Sequence, residues 1–142
     1  MRATLAKIPY TRELGLTLDR VDDGEVRMTL PDRDTNRNLV GTVHAGLLYT
    51  FGETLAGVAA GLETLERAFP FARRAAIRYL RPARGTVHGT ARAEPGGIQR
   101  VLDELAREGR SELTIRARLA AEDGATVAEL DVDYAFRLLE KP

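Results

Sequence analysis

The chain has 142 residues, with 21 Lys and Arg balanced by 21 Asp and Glu, so its formal net charge is zero. That length fits a single domain spanning residues 1–142, which buries roughly 68–70% of the surface exposed by its unfolded chain without help from disulfides or metals. The absence of cysteine excludes disulfide scaffolds, thiolate nucleophiles and Cys-ligated metal sites, and neutral charge argues against bulk binding to nucleic acid or anionic membranes.

The N-terminal residues MRATLAKIPY hold no apolar run long enough for a signal peptide, which makes the cytoplasm the expected address. Residues 43–62 have membrane-spanning length but contain His44, Thr50, Glu53 and Thr54, so they are expected to form a buried helix and not a span. A short helix is expected over residues 3–14, interrupted at Pro9 and ended by Gly15. Alternation then runs from Leu16 to Leu30, with Val26, Met28 and Leu30 on one face and a turn at Asp22-Asp23-Gly24. Residues 31–40 are polar and irregular, a loop ending at Gly41-Thr42. The next helix, about 44–65, is apolar on nearly every side and must be wrapped by other structure.

Strands are expected over 72–81 and 86–93, followed by a short amphipathic helix over 98–107 closed by Gly109. Two more alternating segments, Leu113 to Leu119 and Ala128 to Phe136, flank the hairpin signal Glu122-Asp123-Gly124. The inventory predicts an α+β architecture in which a curved antiparallel sheet of about five strands wraps one long helix. Such a sheet leaves edges exposed, and pairing across a dimer protects them.

One residue of the long helix does not fit a purely structural role. Glu53 lies between Gly52 and Thr54, with no basic residue from position 43 to 66, and a buried carboxylate without a partner shifts its pKa upward or faces a cavity. At helical spacing it shares a face with Ala45, Gly46, Tyr49, Thr50, Ala56, Gly57 and Ala60. Most of these are small and leave room for an approaching molecule. The bland reading is a helix exposed on this face, with Glu53 in solvent. The helix start, Gly41 to Gly46, offers free backbone N–H groups and the positive end of the helix dipole, which can stabilise an oxyanion. About 10–12 Å of helix rise separates it from Glu53.

Asn38-Leu-Val-Gly41-Thr-Val-His44-Ala45-Gly46, with Glu53 nine positions after the histidine, resembles the N-x-x-G-x-x-H-G-G-x(7)-D/E signature of hotdog-fold acyl-CoA thioesterases of the PaaI type, a superfamily with DUF4442-type relatives. The likeness continues through Tyr79-Leu80-Arg81-Pro82-Ala83 and Gly85 and covers about residues 15–137. It implies a hydrolase of acyl-CoA thioesters, cytoplasmic and homodimeric or homotetrameric, with sites between protomers and no cofactor or metal. In that reading Glu53 is general base or nucleophile and the Ala45 amide, with Gly46 beside it, polarises the carbonyl. Asn38 orients the water or the acid, and His44 fixes the loop. Thr50 and Gly57 face the substrate, while Arg81 and Arg84, in the basic run Arg73, Arg74, Arg78, Arg81 and Arg84, meet the CoA phosphates. Solvated strand positions account for those arginines equally well, and His88 is most simply a surface residue.

Three departures from the signature stand out: Ala45 for the first Gly, Glu53 for the commoner Asp, and a 98–107 helix where a short connection is usual, placed to cover the pocket or alter partner contacts. Two other readings remain. A non-catalytic acyl-CoA or lipid-binding hotdog protein uses Glu53 only to shape a pocket, and a hotdog dehydratase arranges its His and acid differently from His44 and Glu53.

Overall fold

A computed structural model describes residues 8–139. Their elements in chain order are α1 (Pro9–Glu13), β1 (Thr17–Asp22), β2 (Glu25–Leu30), a 3-10 turn (Asp34–Asn36), α2 (Ala45–Gly61), β3 (Ala68–Tyr79), β4 (Val87–Arg92), α3 (Gly97–Glu108), β5 (Arg110–Ala121) and β6 (Thr126–Leu138). Residues 3–7 of the expected first helix lie outside the described residues.

The strands form one antiparallel sheet in the order β1-β2-β4-β5-β6-β3, and α2 packs against β2, β3, β4, β5 and β6. The sheet therefore curls around the helix, as the alternating strands and the apolar helix predict. It has six strands where about five are expected, because residues 16–30 split into a hairpin. Asp23 and Gly24 both take left-handed φ, 46° and 72°, the conformation a two-residue turn needs to match the twist of its strands.

Alternation in β5 and β6 turns Leu113, Ile115, Ala117 and Leu119 towards the core beside Leu130, Val132 and Tyr134. These side chains meet Phe51 and Leu55 of α2, both fully buried. The helix reaches the sheet closely because small residues stand at the contact. A Cβ on Gly89 of β4 would lie 2.7 Å from Leu55 and one on Gly52 would run into Leu130.

Wrapping is not complete, which corrects the expectation for α2. A stripe of Ala45, Gly46 and Tyr49 is exposed and Thr50, Glu53 and Gly57 are half-buried, whereas Ala56 and Ala60, expected on the same face, are fully buried. Beside this stripe, β3 pairs with β6 alone among the described residues and leaves its other edge free of them. Helix α3 fills the connection between β4 and β5, as its amphipathic spacing predicts. Pairing of β5 with β4 stops at Arg116, and α3 packs against β5 and β6, with Arg100 donating to the Glu112 carbonyl at 3.3 Å. The helix thus shields a length of strand edge left bare by β4. Among the described residues no helix is long and apolar enough to cross a membrane.

Candidate active site

Glu53 sits on the third turn of α2, half-buried against a cavity of about 580 Å³ whose walls include Tyr49, Val58, Leu65, Phe71 and Tyr134. Thr50 and Gly57 line the same cavity, as their spacing predicts. Among the described residues no Lys, Arg or His lines it, and burial pushes the Glu53 carboxyl above its ordinary pKa, partly opposed by a hydrogen bond from Tyr134. The Tyr134 hydroxyl also donates to the Glu53 main-chain carbonyl at 3.1 Å. Burial, followed by the charge of Glu53, holds the Tyr134 phenol above its usual value, so it stays a proton donor. Thr50 donates its hydroxyl to the Gly46 carbonyl at 3.0 Å.

The helix start is assembled from two distant segments. Asn38 braces the incoming loop: its carbonyl oxygen accepts from the backbone N–H of Val40 and Thr42, each at 3.1 Å, and its amide donates to the Thr42 hydroxyl at 2.8 Å. The Val43 N–H donates to the Ala83 carbonyl at 2.9 Å, Arg84 donates to the Gly41 carbonyl at 3.2 Å, and the Tyr79 hydroxyl donates to the Ala45 carbonyl at 3.0 Å. Loop 38–44 and the 79–85 segment therefore hold α2 by its first turn. A recess of about 370 Å³ opens there, lined by Asn38, Ala45, Tyr79 and Arg81 among others.

His44 is the N-cap of α2, and its Nδ1 accepts the Gly46 N–H at 3.0 Å. Accepting at Nδ1 leaves the ring proton on Nε2. The expected pair of amides is thereby reduced to one: Gly46 already has its partner, while the Ala45 N–H has no acceptor among the described residues. Helix-end amides are the natural place for such a free donor.

Within one chain these two halves do not meet. Glu53 and Ala45 line separate cavities, about 12 Å apart along the helix, and Asn38 bonds its own loop and not the acid. No residue of α3 lines either cavity. Of the basic run, Arg73 pairs with Glu112, Arg74 with Asp133, Arg78 with Glu129 and Arg81 with Asp123, leaving Arg84 as the member without an acidic partner among the described residues. A larger recess of about 650 Å³ lies over the solvent face, where Arg73, Arg74 and Arg100 are matched by Glu94, Glu112 and Asp133. His88 is exposed beside the Thr29 hydroxyl. Among the described residues no group of three or more His, Asp or Glu is placed to hold a metal.

Two residues of this neighbourhood escape a reading of the sequence alone. Tyr134 reads as one more core position of an alternating strand, and Tyr79 as the end of another. For Tyr134 the available signal is chemical: a tyrosine directed inward needs an acceptor for its hydroxyl.

Comparison with known proteins places the architecture. A 1.5 Å crystal structure of the Pseudomonas aeruginosa protein PA5026, described as of unknown function and a probable thioesterase, superposes with a TM-score of 0.85 at 28% identity, covering 97% of this chain and 93% of that one. The Haemophilus influenzae thioesterase HI1161 matches with a TM-score of 0.80 at 16% identity over 97% and 89% of the two chains. A mutant of the P. aeruginosa thioesterase PA1618 matches at 0.79 with 20% identity over 98% and 95%. These last two show likeness of fold. No curated protein matches the sequence. The family model described as "Domain of unknown function (DUF4442)" matches residues 1–135, so the chain belongs to the DUF4442 family and shares the hotdog fold of these thioesterase-like neighbours.

Proposed function

We propose that the protein is an acyl-CoA thioesterase that works as a homodimer or homotetramer, each site combining Glu53 of one protomer with the Ala45 amide of another. The observation that carries this reading is the separation just described. One chain offers a carboxylate in an apolar cavity and a free amide at a helix end, too far apart to act on one carbonyl. Exposed apolar residues border both halves, with Leu39 at 102% and Val40 at 70% exposure beside the helix start and Phe69 and Phe71 beside Glu53. The bare edge of β3 runs between them, and a second copy protects it. The neighbour HI1161, named a thioesterase, and PA5026, described as a probable one, support the reaction class.

In the reaction, Glu53 takes a proton from water as its oxygen bonds to the thioester carbonyl carbon. The Ala45 N–H stabilises the resulting oxyanion. Collapse breaks the carbon–sulfur bond, and the Glu53 carboxyl returns its proton to the departing CoA thiolate. The alternative route for the same carboxylate is direct attack on the carbonyl carbon, breaking the carbon–sulfur bond and expelling the CoA thiolate to leave a mixed anhydride that water then hydrolyses. Asn38 and His44 act by holding the loop and the first turn. Thr50 and Gly57 bound the acyl group, and Arg84, assisted by Arg81, meets the phosphates of CoA.

A panel of acyl-CoAs followed with a thiol reagent tests the activity. Turnover with at least one member, lost in Glu53→Gln with the fold intact, is expected. Tight acyl-CoA binding without turnover would instead favour a lipid-binding hotdog protein.

A further inference from the structure

The base proposed above has a neighbour that nothing else in the mechanism uses. Tyr134 is 2% exposed and stands in register between Ala72 of β3 and Leu113 of β5, directed at the turn of α2 that carries Glu53. Its hydroxyl is 3.1 Å from the Glu53 carbonyl, an oxygen that in a helix already accepts from the N–H four residues on. The approach is possible because residue 57 has no side chain: a Cβ there would lie 3.2 Å from the phenol oxygen. The hydroxyl and the Glu53 carboxylate share one cavity. Among the described residues the other titratable groups facing it are Tyr49 of α2 and Tyr10 of α1, while β3 contributes Phe69, Pro70, Phe71 and Ala72. No cation among the described residues lines it to compensate the carboxylate.

We infer that Tyr134 is a positioning residue for Glu53: its hydroxyl, bonded to the Glu53 main-chain carbonyl, fixes the turn that bears the acid and, facing the same cavity, favours the charged carboxylate over the neutral acid. Burial and the tyrosine act in opposite directions on the same carboxyl, burial raising its pKa and the phenolic hydrogen bond lowering it. The inference rests on reading Glu53 as the base, but the coupling between the two groups is measurable without turnover.

The test is Tyr134→Phe, which keeps the ring and removes the hydroxyl, with Gly57→Ala as a second variant that displaces the hydroxyl by steric contact. Carbon-13 NMR titration of the Glu53 carboxyl, assigned by its loss in Glu53→Gln, is run beside the pH profile of kcat/KM. The expected result is an upward shift of about one pH unit in the titration and in the acid limb of the profile, the size of one charge-assisted hydrogen bond. At neutral pH kcat of Tyr134→Phe falls, recovering at higher pH, while its KM is unchanged. A shifted titration in a protein without turnover would support the coupling and overturn the hydrolytic reading. An unmoved titration in a folded variant, or a kcat lowered equally at every pH, would overturn the inference.

Discussion

Along one face of α2, the turn at Glu53 and the turn at Ala45 are held by different means. Around Glu53 the described residues supply aromatic and aliphatic walls and no cation, so the carboxyl is tuned by loss of water. Around Ala45 they supply partners for neighbouring backbone groups: His44 for the Gly46 N–H, Tyr79 for the Ala45 carbonyl and Asn38 for the loop. There one amide is aimed because the atoms beside it are tied down. The contrast separates two kinds of sensitivity. Changes at the first region shift the pH dependence along with the rate, and changes at the second alter the rate and leave the pH dependence in place.

The largest effect that sharpens this contrast comes from Glu53→Gln, with kcat falling by about 10²–10⁴-fold, the usual contribution of a general base. In the wild type the acid limb of the rate profile lies above the ordinary carboxylate range, since the raised pKa must be exceeded before the base is free. Stability moves the other way. A carboxyl whose folded pKa is raised binds its proton more tightly when folded, so charging it costs stability as pH climbs from its unfolded value of about 4.3 through the folded one. Thermal unfolding should therefore find Glu53→Gln more stable than wild type at pH 7, with the gain fading below about pH 4.

Ala45→Pro should lower kcat by about 10²–10³-fold, the effect of removing one oxyanion donor, with an unaltered pH profile. Proline suits the first helical position, and His44 has ψ 134°, which a residue preceding proline accepts. Near-normal kcat in that variant would remove the helix end from the mechanism. His44→Ala should reduce unfolding free energy by about 1 kcal/mol through the lost cap and kcat by about tenfold through a looser first turn. His44→Asn, another capping side chain, should restore both. Restored stability with kcat still depressed would make His44 a chemical participant. The smallest effect belongs to Arg84→Ala, which should raise KM about three- to tenfold, or about 1 kcal/mol, without changing kcat and less strongly in high salt. Arg74→Ala, whose guanidinium is paired with Asp133, should leave KM alone.

The sequence reveals the parts of this molecule in which one face is wet and the other dry. Strands β2, β5 and β6 alternate cleanly, and Asp23-Gly24 marks its turn. Strand β1 does not emerge as a separate element because it is almost wholly exposed and so carries no alternation. Strand β3 begins at Ala68, ahead of Pro70, where an interior strand would not tolerate proline; as an edge strand it does. At the site, Glu53 stands out because a charge inside an apolar helix is costly. The partner of the Gly46 amide is invisible in the sequence, since it depends on the orientation of the His44 ring. The role of Tyr134 depends on the register of β6 against α2. The arginine run divides only in three dimensions, four members facing acids and Arg84 facing a carbonyl.

The claim that each site draws its two halves from different protomers is tested most directly by mixing two inactive chains. Glu53→Gln and Ala45→Pro are unfolded and refolded together in equal amounts, and acyl-CoA hydrolysis is compared with each variant refolded alone. Sites shared between protomers leave one intact site in every mixed pair, which with random pairing predicts recovery of about one quarter of wild-type activity. Sites contained within single chains leave every site damaged, and activity no higher than that of either parent would contradict the account.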